Sequence, residues 1–99
     1  MYRLSNLAAE DFGAIYEYTW RRFGPLQADK YTHELDATLK LLAKNPLMGR
    51  DCQNLIDGAR RHDYGQHAIF YMYADDPIFV IRILHQHQHQ QMEPLLHLK

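Results

Sequence analysis

"AAEDFGAIYEYTWRRFGPLQADKY", Ala8 to Tyr31, is the stretch that decides the fold. Phe12, Ile15, Tyr16, Thr19, Trp20 and Phe23 recur at three- and four-residue spacing, which draws one broad apolar stripe along a helix. Gly24 suits the end of that helix, and Pro25 suits the first turn of another. Ala28, Tyr31, Leu35, Leu39 and Leu42 then continue as a second stripe, stopped by "KNP" at Lys44–Pro46 and by Gly49. So short a joint permits only an antiparallel helical hairpin. Upstream, Ser5 or Asn6 can cap the first helix, with Glu10 and Asp11 in its early turns. Before them "MYRLS" reads as a short extended segment with Tyr2 and Leu4 on one side.

After residue 50 the period changes from helical to strand-like. "DCQNLIDG" reads as a loop, followed by "ARRHDY", "HAIFYMYA" and "IFVIRILHQ", the last two joined by the turn signal "DDP". Strict alternation places Ile69, Tyr71 and Tyr73 on one face and Phe70 and Met72 on the other. In the final strand it groups Phe79, Ile81 and Ile83 against Val80, Arg82 and Leu84. Both faces are apolar, so one packs on the hairpin and the other expects partial cover. The architecture is α+β: an N-terminal strand, an antiparallel two-helix hairpin, then a three-stranded antiparallel sheet, in the order β-α-α-β-β-β.

Ninety-nine residues, 46% of them hydrophobic and 23% charged, suit a single domain over residues 1–99 with one core. Residues 86–99 read as a flexible tail. The net charge of −1 does not favour nucleic acid or anionic membrane, so no direct sequence-specific nucleic-acid contact and no membrane partner are expected. Residues 1–50 carry seven Lys/Arg against six Asp/Glu, and residues 51–99 four against six, so neither half is a basic clamp. Cys52 is the only cysteine and has no disulfide or Cys-based zinc partner. With no secretory signal in "MYRLSNLAAEDF", a reducing cytoplasm is the simplest compartment.

Four pieces in sequence carry a family resemblance: "AAEDFGAIYEYTWRRFGPLQADKY", "LLAKNPLMGRDC", "GARRHDYGQHAIFYMY" and "IFVIRILH". Together they resemble the ParE branch of the RelE/ParE toxin superfamily over residues 2–85. The resemblance implies the toxin of a bacterial type II toxin–antitoxin pair, of the kind that serves plasmid stabilisation. Such a toxin inhibits DNA gyrase without being an enzyme, needs no cofactor, and is neutralised by a cognate ParD-like antitoxin. RelE-like relatives share the fold but cut messenger RNA on the ribosome, so the fold alone does not choose between them.

Cutting RNA at a 2′-hydroxyl requires a base, an acid and cations around the phosphate. Arg60, Arg61, Arg82 and His85 are the candidates for that role, and equally for contact with a protein target. The set is thin for a nuclease, since the only lysine after residue 50 is Lys99. Arg60 and Arg61, on consecutive strand positions, point to opposite faces. Arg82 interrupts an apolar strand, and either Asp63 or Asp75 could neutralise it. For the antitoxin, the candidates are Tyr16, Trp20, Phe23, Tyr31 and Leu35, large apolar side chains on the two helical stripes. Arg21 and Arg22 read as a solvated helix end. A third possibility is an interaction module that kept the fold without toxicity.

"RILHQHQHQQ", Arg82 to Gln91, sets His85, His87 and His89 on one strand face if the strand continues. A closed metal site needs further ligands, and the candidates Glu93 and His97 lie in the tail, so no metal is expected. His85 should end the strand.

Overall fold

The computed structural model describes residues 1–52, 57–73 and 77–86. Strand β1 (Tyr2–Leu4) leads into helices α1 (Asn6–Phe23) and α2 (Pro25–Lys44). A single 3-10 turn (Pro46–Met48) then precedes strands β2 (Arg50–Asp51), β3 (Ala59–Tyr64), β4 (His67–Met72) and β5 (Ile78–His85). Ser5 is the N-cap of α1: its hydroxyl accepts from the Ala8 N–H at 2.9 Å and donates to the Ile81 carbonyl at 2.6 Å. The hairpin turns at Gly24, whose φ of +91° is open to glycine at little cost, and Pro25 starts α2 at once. No helix among the described residues is long and apolar enough to cross a membrane.

The strands form one sheet in the order β1-β5-β4-β3-β2. Two features depart from the expected three-stranded antiparallel sheet. β1 joins the sheet parallel to β5, with Tyr2 opposite Ile78 and Leu4 opposite Val80, so the sheet is mixed. The two-residue β2 adds an outer strand, pairing Arg50 with Arg61. The parallel pair follows from the path of the chain, which leaves β1 through the hairpin and fills the sheet inward from its far edge.

Between the hairpin and the sheet lies a core of Ile15, Leu35, Leu39 and Leu42 against Ile69, Tyr71, Ile78, Val80 and Ile83. A second cluster, built by Cys52, Ala59, Ala68, Phe70, Ile81 and Leu84, occupies the other face. Burial of each large aliphatic side chain contributes about 1.5–3 kcal/mol, so these contacts dominate the favourable side of folding. Cys52 belongs to this buried set, and burial raises its thiol pKa above the ordinary value, which keeps it protonated and unreactive.

Simple alternation fails in β5. Tyr71 pairs with Val80 but Phe70 pairs with Arg82, so Ile81 is an extra residue in a β-bulge. The bulge reverses the sequence grouping beyond it: Val80 and Ile83 both enter the helix-side core, while Ile81 and Leu84 both face away.

Candidate functional site

Beyond Leu4, β1 no longer covers the outer edge of β5, and α1 closes over it. Asp11 anchors the crossing. One of its carboxylate oxygens accepts from Arg82 Nε and from the Ile83 N–H, at 2.8 and 2.9 Å, and the other accepts from an Arg82 terminal nitrogen at 2.9 Å. Neither side chain is more than one-fifth exposed. The partner of Arg82 is therefore Asp11 on the first helix, not Asp63, and Asp75 lies outside the described residues. Sequence order hides this pair, because the two residues are 71 positions apart.

Next to the ion pair is an open cleft of about 380 Å³, lined by Asp11, Tyr18, His67, Arg82 and His85 among others. His67 and His85 face each other across β4 and β5, their rings 5.6 Å apart and nearly perpendicular. The Tyr31 hydroxyl lies 2.7 Å from His67 Nδ1 and also accepts from the Gln66 N–H at 3.2 Å. Gly65 makes this approach possible: its φ is +56°, and a Cβ there would sit 2.6 Å from the Tyr31 oxygen. Gln86 fastens the end of β5 to the same turn through Gly65 and Gln66.

Burial, then the neighbouring His85, push His67 down to about pKa 4, against a smaller opposing pull from Asp11. A histidine lowered in this way binds fewer protons folded than unfolded. Stability from this group is therefore unchanged above pH 6.5 and falls as pH drops from 6.5 toward 4. After discounting for solvent at the partly exposed ring, the loss is on the order of 1–2 kcal/mol. Urea denaturation at pH 7 and pH 4.5 should show it, and His67→Gln should flatten the dependence. An equal slope in both proteins would assign the loss to other groups.

Of the four candidate target residues, Arg82 and His85 line the cleft together, whereas Arg60 and Arg61 are not part of its lining. Arg60 donates to the carbonyls of Gly49 (2.9 Å from Nε) and Leu47 (3.3 Å), fixing the turn that precedes β2. Arg61 holds Asp63 at 2.7 Å with its guanidinium over the Phe70 ring. Arg82 holds Asp11, and His85 ends β5 in the cleft. Tyr71 adds to the Arg60 turn, its hydroxyl accepting from the Gly49 N–H and donating to the Pro46 carbonyl. Sequence reading missed His67, Asp11 and Tyr18 as cleft residues. The cross-strand partner of a strand histidine depends on register, which the bulge shifts by one.

On α1 the apolar stripe divides. Ala8, Ile15 and Thr19 are buried, whereas Tyr16, Trp20 and Phe23 are 37%, 49% and 65% exposed. At 100° per residue those three lie together on a face turned away from the buried line. Tyr16 is steadied by its hydroxyl donating to Asp29 at 2.8 Å. Leu35 is a correction: at 0% exposure it belongs to the core, because α2 turns that line of its stripe onto the sheet. Tyr31 also packs against the core, its ring tilted on Tyr64 and His67. His87, His89, Glu93 and His97 lie outside the described residues.

The family described as "ParE toxin of type II toxin-antitoxin system, parDE" matches residues 2–90. A protein named Toxin ParE1 from Caulobacter vibrioides is 41% identical over 85 residues, 86% of this chain and 88% of the relative. Another Toxin ParE1, from Mycobacterium tuberculosis, is 36% identical over 86 residues, with the same coverage of both chains. A solved structure described as "Chromosomal ParDE TA system from P. aeruginosa" shares the fold, with a TM-score of 0.71 at 23% identity over 85% of this chain and 92% of that one. A family match over residues 2–90, with a relative 41% identical over 86% of the chain, makes this chain a member of the ParE toxin family of type II toxin–antitoxin systems.

Proposed function

We propose that this toxin inhibits DNA gyrase as a binding protein, without catalysis, and is neutralised by a cognate ParD-like antitoxin. The observation that carries the first half is the engagement of Arg60, Arg61 and Arg82 with partners inside the molecule. A nuclease of the RelE kind needs cations free to meet the phosphate as charge develops. Here each guanidinium already has its acceptors, and releasing Arg82 would strand the Asp11 carboxylate. Among the described residues lining the cleft with His85 and His67, the guanidinium is that of Arg82, already committed to Asp11. Adding the purified protein to gyrase supercoiling reactions should stop them, while messenger RNA on translating ribosomes stays whole. Ribosome-dependent cleavage with gyrase untouched would reverse the assignment.

The antitoxin half is supported by the exposed face of Tyr16, Trp20 and Phe23, large amphipathic anchors that a monomer has no reason to leave in water. An apolar helix laid along that face is the fitting occupant. Trp20→Ala is expected to weaken antitoxin binding by about 2 kcal/mol, roughly 30-fold in Kd, with the fold unchanged because the side chain is half exposed. Titration calorimetry with the cognate antitoxin checks this, and an unchanged Kd would remove Trp20 from the interface.

A further inference from the structure

We propose that His67 and His85 form an open binding site for a divalent transition metal such as Cu(II), clamped between the ends of β4 and β5. The expectation of no metal rested on ligands strung along one strand and into the tail. The structure instead supplies a second imidazole from the neighbouring strand, directly opposite the first. The bulge at Ile81 creates that pairing: with regular register, His67 would face Leu84.

The geometry is close to what a shared ion needs. A Cu(II) ion about 2 Å from each imidazole nitrogen, in neighbouring positions of a tetragonal site, sets two ring centres roughly 4.5 Å apart. The observed separation is 5.6 Å, so sharing the ion requires the side chains to turn and the rings to close by about 1 Å. Both rings line the open cleft, which leaves room for entry and for water on the remaining coordination positions. Asp11 lines the same cleft, but its oxygens already serve Arg82 and Ile83, so it is not counted as a ligand. Among the described residues no group of three or more His, Cys, Asp or Glu could hold a metal ion, so those residues offer two imidazoles here.

Tyr31 gives the site a feature that chance pairs of surface histidines lack. Metal-bound histidines are held by a hydrogen bond at their other nitrogen, and Tyr31 occupies Nδ1 of His67, leaving Nε2 for the ion. Binding at Nε2 requires the proton to sit on Nδ1. The Tyr31 oxygen can accept it, since its own hydrogen can turn to the Tyr64 carbonyl at 3.3 Å. Imidazole pairs favour Cu(II) over Zn(II) and Ni(II).

The test uses the untagged full chain with His87, His89 and His97 changed to Gln, so that tail imidazoles do not report. Cu(II) alone is titrated at pH 7.4, followed by calorimetry and by the nitrogen splitting of the electron paramagnetic resonance spectrum. One equivalent should bind, with a two-nitrogen signature. His67→Gln and His85→Gln should each weaken binding at least tenfold, whereas His33→Gln and His62→Gln should not. Tyr31→Phe should weaken it roughly 10- to 100-fold, the range for loss of a supporting hydrogen bond. Each variant is melted in chelator to establish that it folds; if His67→Gln fails, His85→Gln, at the strand end, still decides. No binding by the starting protein, or unchanged binding in the folded histidine variants, would overturn the site.

Discussion

Asp11→Ala should lower the stability of the fold by about 3–5 kcal/mol, a large share of the total available to a chain of this size. The carboxylate accepts three hydrogen bonds, two from Arg82 and one from the Ile83 N–H. Removing it leaves a guanidinium with little exposure and without its hydrogen-bonded counter-charge, and leaves a strand-edge N–H without its acceptor. Arg82→Ala should cost less, because the remaining carboxylate keeps the Ile83 N–H and can draw in water from the cleft. The double variant should be less destabilised than the sum of the two singles, which a cycle of urea denaturations would measure. Additive effects would mean that the pair contributes nothing as a pair. Toxicity lost in Arg82→Ala must therefore be compared at matched folded fraction before Arg82 is assigned to target contact.

Leu35→Ala is the second large effect, expected at about 3 kcal/mol from lost burial and the cavity left among Ile15, Leu39 and the sheet. The side chain is fully enclosed, so any loss of antitoxin binding should track loss of folded protein. Binding measured well below the variant's melting midpoint should match the parent. If affinity fell while the folded fraction stayed the same, α2 would have to be part of the antitoxin surface after all. Trp20→Ala should show the opposite pattern, with binding changed and stability held.

The contrast between these two residues marks where sequence reading stopped. Gly24-Pro25 and the two apolar stripes are local signals, and the hairpin they imply is the hairpin observed. The last strand likewise ends at His85 as the pattern indicates. But a stripe shows only that a helix has an apolar side, not which line of it meets the sheet and which meets solvent. Leu35 and Trp20 look alike by spacing and sit at opposite extremes of exposure. Long-range pairings were hidden for a different reason. The acid that meets Arg82, the parallel alliance of β1 with β5 and the facing histidines all depend on register between distant segments, and one extra residue at Ile81 shifts the pairing of β4 with β5.

The alliance of β1 with β5 also fixes when the molecule can exist. Tyr2 pairs with Ile78, and the Ser5 hydroxyl that caps α1 donates to the Ile81 carbonyl, 76 residues later. During synthesis the hairpin can form early from local contacts, yet its sheet-facing side is fully covered only when the final strand brings Ile78, Val80 and Ile83. Closing so long a loop is entropically slow compared with making the helices. The fold is therefore complete only once the last strand has been made, and products stopping before Ile78 are expected to lack it. An antitoxin helix that recognises Tyr16, Trp20 and Phe23 would need only the hairpin. It could seize the nascent chain before the weapon is assembled.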